Sequence, residues 1–178
     1  MKTDWAKINI RNLAAIICSC LKKNGIETIL VGGACVSIYA KNRYVSYDLD
    51  FVTESSLKEL IPVLNELGFI KKDGRLFENP SCDFLIDFPA PPIAIGNEPV
   101  FKFSLIKTRY GIIRLLTPTD CVKDRLAAYF FWNDHQALKQ ATMVAKNNKI
   151  NLLKIRKWAE KEGETEKFKV FQKNSGIK

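Results

Sequence analysis

Gly32-Gly33 follow the apolar run Ile29-Leu30-Val31, and after fourteen intervening residues Asp48 and Asp50 stand on either side of Leu49. A strand that runs into paired glycines and then a helix places backbone N–H groups and a helix N-terminus side by side, a natural seat for phosphate. In a strand, residues two apart face one side and lie about 6.6 Å apart. Asp48 and Asp50 therefore present two carboxylates to one face and leave Leu49 and Phe51 for the buried one. Two carboxylates so placed can span a pair of hard cations about 3.5 to 4 Å apart, the spacing used for in-line phosphoryl chemistry. A third oxygen ligand is then wanted from a neighbouring strand about 4.8 Å away. Asp87, in Asp83-Phe84-Leu85-Ile86-Asp87-Phe88, is the candidate. Asp83 shares its parity, but it sits at the strand's beginning and reads as a solvated end residue. The glycines lack a G-x-G-x-x-G spacing, which excludes the dinucleotide-binding fingerprint.

The elements that must position these residues follow from periodicity. An apolar stripe at helical spacing covers residues 4–23 and stops at Asn24-Gly25, and Glu27–Val31 reads as a buried strand. A short helix over 33–41, a strand over Tyr47–Val52 and a helix over Ser55–Leu67 ending at Gly68 come next. Phe69–Lys72 and Leu76–Glu78 form a hairpin across Asp73-Gly74, and Asp83–Phe88 alternates as a strand. Pro89–Pro99, with four prolines, is expected as a fixed loop, and Val100–Leu116 as a hairpin turning near Arg109–Gly111. From Thr117 the pattern is helical: 121–132 capped by Thr119 or Asp120, then 134–147, 151–161 and a last helix from 163. The expected architecture is an α/β lobe with a mixed sheet flanked by helices over residues 1–116, followed by a C-terminal helical lobe over 117–178.

Composition limits the function classes. The chain of 178 residues is 47% hydrophobic, enough for one ordinary core. Its N-terminus lacks the unbroken apolar block of a signal peptide, and no run approaches the roughly 18 apolar residues of a membrane helix. Five cysteines scattered through apolar segments fit reduced thiols in a cytoplasmic core better than a disulfide framework or a metal pair. The net charge is +9 and unevenly spread: residues 139–178 hold 11 Lys/Arg against 4 Asp/Glu, net +7. A basic helical lobe on a nearly neutral one is compatible with nucleic acid. Its expected RNA-facing rim carries Lys154 and Lys157 next to Lys123. Tyr129-Phe130-Phe131-Trp132 read as core, and His135 as a capping or surface residue.

The series apolar-Gly-Gly, short helix, Asp-apolar-Asp-apolar on a strand and a later strand aspartate resembles the DNA polymerase β type nucleotidyltransferase superfamily. Within it, Gly32-Gly33-Ala34, Arg43, Ser46 and Asp48-Leu49-Asp50-Phe51 resemble the AbiEii-type nucleotidyltransferase toxins of toxin-antitoxin systems. The likeness runs more loosely through Asp87 and the segment Thr117–Asp134, where Lys123 occupies the place of that family's helix lysine and Asp134 that of its later aspartate. Leu85 stands where a lysine is usual, and Asn133-Asp134 where Arg-Asp is expected.

The resemblance implies a nucleotidyltransferase that uses a nucleoside triphosphate with Mg2+ or Mn2+. Asp48, Asp50 and Asp87 would be metal ligands, with Asp87 beside the attacking oxygen. Gly32, Gly33 and Ser46 would hold phosphate, and Arg43 and Lys123, the latter from the exposed face of its helix, would neutralise triphosphate charge. The implied acceptor is RNA, above all a tRNA end, and a toxin would have a cognate antitoxin. A protein or small-molecule acceptor, as for antitoxin and antibiotic-modifying nucleotidyltransferases, and an inactive nucleic-acid-binding module are the alternatives.

Overall fold

The computed structural model describes residues 3–41 and 43–177. A short 3-10 turn at Trp5–Lys7 precedes helix α1, Ile10–Lys23, so the apolar stripe from residue 4 is interrupted where Asn9 caps the helix by accepting the Asn12 N–H at 2.9 Å. Strand β1 (Ile29–Val31) runs directly into α2 (Gly32–Tyr39), and β2 (Asp48–Val52) follows. Helix α3 (Leu57–Glu66) starts with a Ser56–Glu59 capping box. Then come β3 (Ile70–Lys71), β4 (Leu76–Glu78) and β5 (Leu85–Asp87).

The proline-rich segment is more than a loop. It contains a small hairpin, β6 (Ala94–Ile95) and β7 (Glu98–Pro99), turned at Gly96, whose φ of +59° suits glycine. The long hairpin β8 (Phe103–Thr108) and β9 (Gly111–Leu116) completes the strands. Four helices close the chain: α4 (Pro118–Trp132), α5 (His135–Asn147), α6 (Leu152–Lys161) and α7 (Thr165–Ser175). The cap of α4 is Thr117, not Thr119 or Asp120. Pro118 takes the first helical position, where its missing N–H costs nothing, and the Thr117 hydroxyl accepts the Asp120 N–H at 3.1 Å.

Seven strands form one mixed sheet in the order β3-β4-β5-β2-β1-β9-β8. The β2–β5 and β1–β9 pairs are parallel and the rest antiparallel. Register fixes two faces. Leu30 stands opposite both Phe51 and Leu115, and Leu49 opposite Ile86; all are fully buried. The other face carries Val31, Asp50 and Asp87 in one lateral row, with Asp48 two residues along β2. The apolar core continues from the sheet into the C-terminal helices without a break, through Tyr129, Phe130, Ile155, Trp158 and Phe171. The five cysteines are free thiols. Tyr129 and Phe130 are buried as expected, whereas Phe131 and Trp132 emerge at the end of α4, Trp132 with 77% of its surface exposed. No helix of the described residues is long and apolar enough to cross a membrane.

Candidate active site

The site is built where β1 ends. Antiparallel pairing sets Val31 against Asp50, and parallel pairing sets Asp50 against Asp87, so the two carboxylates are lateral neighbours at the ordinary strand spacing of about 4.8 Å. The next residue after Val31 is Gly32, with φ of +65°; a Cβ there would lie 2.2 Å from the Asp50 Oδ2. Only a residue without a side chain can bring the start of α2 this close to a carboxylate. Gly33 is similarly confined, because its Cβ would fall 2.8 Å from the Ser46 Oγ.

Ser46 is buried and its hydroxyl serves the backbone: it donates to the Asp48 carbonyl at 3.0 Å, while the Ser46 N–H donates to the Ser37 Oγ at 2.9 Å. It therefore ties the entrance of β2 to α2 and fixes the height of Asp48, rather than offering a free donor to phosphate. Arg43 is exposed just before this entrance. Asp87 accepts the N–H of Phe88 at 2.9 Å, and Asp83 lies exposed outside β5.

Asp50 is both buried and crowded by negative charge. Burial, and next the neighbouring Asp87, push its carboxyl up from 3.8 to about 6, with Arg125 opposing and Asp48 and Asp124 adding to the rise. Among the described residues no group of three or more His, Cys, Asp or Glu side chains stands in a metal-ligating arrangement. The donor set nonetheless suits a hard cation: oxygen ligands only, two of them on paired strands, one raised in pKa by burial and by a neighbouring carboxylate whose repulsion a cation would relieve.

Helix α4 turns Lys123 inward. Lys123 is fully buried, not on an exposed face. Its ammonium donates to the Glu98 carboxylate of β7 at 2.9 Å and lies 5.3 Å from the centre of the Trp158 ring. Two residues on, about 200° around the helix, Arg125 turns the other way. Its guanidinium donates twice to Asp124 Oδ2, at 2.9 and 2.6 Å, and its charge acts on Asp50. Burial works to lower the Arg125 pKa, but Asp124, Cys121 and Asp50 outweigh it and hold the group above its ordinary range. Arg125 is thus a partly buried cation whose charge acts on the Asp50 carboxylate. The segment Lys123-Asp124-Arg125 contains both candidates, and only the packing of α4 on α2 and the β6–β7 hairpin distinguishes them.

Two other expectations change. Lys154 pairs with the buried Asp120 at 3.0 Å, so the Lys154–Lys157 rim beside Lys123 does not exist as a free cationic face. Asp134 caps α5, accepting the N–H groups of Gln136 and Ala137 at 2.8 and 3.0 Å, and His135 opens that helix with its ring 5.5 Å from that of Tyr129. Surface hollows lie away from the carboxylates, one beside Asp4, Lys7 and Arg109, another between α5 and α7 lined by Lys139, Thr142, Met143, Lys146 and Asn174. Charge rather than concavity marks the site.

No protein-family model matches the chain, and no curated protein matches it. Among solved structures it is similar to the antibiotic-resistance factor ANT(2'')-Ia, with a TM-score of 0.49 and 15% identity, over 92% of this chain and 88% of that one. At that identity and score the likeness assigns no activity.

Proposed function

We propose that the chain is a metal-dependent nucleotidyltransferase that moves a nucleoside monophosphate from a nucleoside triphosphate to an acceptor hydroxyl, with RNA, above all a tRNA end, as the acceptor. The observation that carries this reading is the pairing of Asp50 with Asp87 under Gly32: carboxylates in register, closed on one side by a helix start that admits no side chain. Asp48, Asp50 and Asp87 would hold Mg2+ or Mn2+. Bound there, the cations would supply Lewis-acid stabilisation of the charge that develops on the transferring phosphate.

The chain's own groups do the rest. The leading N–H groups of α2, which have no partner within the helix, face the triphosphate beside Gly32-Gly33. Arg125 and the exposed Arg43 offset triphosphate charge. Asp87 takes the proton of the acceptor hydroxyl as its oxygen bonds to the α-phosphorus. The bond from that phosphorus to the bridging oxygen breaks, and pyrophosphate leaves. Lys123 has a structural role, joining α4 to the β6–β7 hairpin through Glu98.

The RNA reading is supported by the net +7 of residues 139–178 and by the groove between α5 and α7, whose Lys139 and Lys146 make no ion pair among the described residues. A role as the toxin of a toxin-antitoxin pair, with a cognate antitoxin, is the biological setting this activity fits. The test is to incubate the protein with each α-labelled nucleoside triphosphate and total RNA, total protein or aminoglycosides. Label in RNA supports the proposal; label only in protein or in a small molecule replaces the acceptor; no label in any fraction overturns the activity.

A further inference from the structure

An aromatic ring stands in solvent immediately before the first carboxylate. Tyr47 is 62% exposed, although it precedes a strand whose apolar residues are buried. Its place is nevertheless fixed. The Tyr47 carbonyl accepts the Leu85 N–H at 2.9 Å, and its neighbours Ser46 and Asp48 are tied together by the Ser46 hydroxyl at 3.0 Å. Phe84 lies opposite, just before β5 and one step before the Asp48–Leu85 pair. The two rings are stacked, with centroids 6.1 Å apart and planes inclined by 27°. Phe84 braces one side of Tyr47 and solvent meets the other. Tyr47 and Phe84 immediately precede Asp48 and Leu85, the first paired residues of β2 and β5, so the two rings stand at the end of this strand pair, next to Asp48.

We infer that Tyr47, braced by Phe84, is a stacking platform for a base of the acceptor strand at or next to the nucleotide whose hydroxyl reacts. The inference rests on the RNA-acceptor reading. Aromatic side chains hold single-stranded nucleic acid by stacking with little regard to sequence, since every base has a π-face. A rigid open ring with an aromatic backing suits that use. The triphosphate's own phosphates are served by α2, on the other side of β2.

The experiment uses a short RNA that the wild-type protein labels, with the terminal or the penultimate nucleotide made abasic, and compares wild type with Tyr47→Ala, Tyr47→Phe and Phe84→Ala. For the wild type, kcat/KM should fall about 5- to 100-fold on one of the two abasic acceptors. Tyr47→Ala should lose a similar factor on intact RNA, lose nothing further on that abasic acceptor, and keep its triphosphate affinity and melting temperature. Tyr47→Phe should behave as wild type, and Phe84→Ala should fall between it and Tyr47→Ala. Wild-type kcat/KM for Tyr47→Ala on intact RNA, or an abasic penalty that persists undiminished in that variant, overturns the platform while leaving the RNA reading in place. Absence of RNA labelling by the wild type overturns both.

Discussion

Asp50 meets opposing demands. Leu49 and Phe51 on either side of it are fully buried and anchor β2 in the core, so the carboxyl between them is fixed beside Asp87 and beneath Gly32 whatever its charge. Its pKa, raised to about 6 by burial and then by Asp87, means that the folded chain binds this proton more tightly than the unfolded chain does. The ionised group therefore opposes folding at neutral pH, and the opposition fades as pH falls from above 6 towards 4. Asp50→Asn should stabilise the protein by about 1–3 kcal/mol at pH 7.5 in urea denaturation, and the advantage should largely vanish near pH 4. An advantage of the same size at both pH values would mean that the carboxyl's charge is not the cause. Saturating Mg2+ or Mn2+ should raise the melting temperature of the wild type and move that of Asp50→Asn much less, since only a species that binds the folded state stabilises it.

At the scale of elements, the β1–α2 junction and the two sides of α4 make separate predictions. Gly32→Ala places a methyl 2.2 Å from the Asp50 carboxylate at a φ of +65°. It should cost about 1–2 kcal/mol from the backbone conformation alone, and transfer should fall with it because Asp50 must move. Lys123→Ala leaves Glu98 without its partner and opens a cavity beside Trp158. It should destabilise by about 3 kcal/mol, whereas Lys123→Met should recover most of that loss. Triphosphate affinity, measured by equilibrium dialysis below the melting transition, should be unchanged in both. Arg125→Met should show the reverse pattern, weaker triphosphate binding with a modest change in stability. These pairs also mark what was legible in the sequence. Alternation in Asp48–Val52 and Leu85–Asp87 is a local signal, and it predicts correctly that three aspartates share a face. Their lateral pairing depends on which strands are neighbours, and the parallel β2–β5 contact is not encoded in either segment alone. Lys123 is buried where an exposed face was expected, because helical spacing states that it and Arg125 point apart but not which side meets the core. That is decided by Glu98, 25 residues before Lys123 and inside a segment whose prolines read as plain loop. Lys154 was misread for the same reason, since its partner Asp120 is distant in sequence and buried.

Over the whole molecule, positive charge is less available than composition suggests. Lys154, Lys167 and Lys169 of the C-terminal helices pair with Asp120, Glu164 and Glu166. Lys139 and Lys146, both on the α5 wall of the α5–α7 groove, are the better contacts for a polyanion. Replacing both with glutamate should weaken RNA binding by about tenfold or more at 50 mM salt and make the slope of log affinity against log salt shallower by about 1–2, with triphosphate affinity unaffected. An unchanged slope would make that groove a bystander and reduce the basic helices to a solvated surface. If the paired Asp50 and Asp87 beneath Gly32 are the seat of nucleotidyl transfer, pyrophosphate release must depend on both carboxylates. Release from each nucleoside triphosphate should be measured with total RNA and Mg2+, for the wild type and for Asp50→Asn and Asp87→Asn, after circular dichroism has shown both variants folded. The wild type should release pyrophosphate in step with the label it incorporates, and either variant at least about a thousandfold less, because each removes a ligand from a charge-dense site. Near wild-type release from folded Asp50→Asn would contradict that role for the pair.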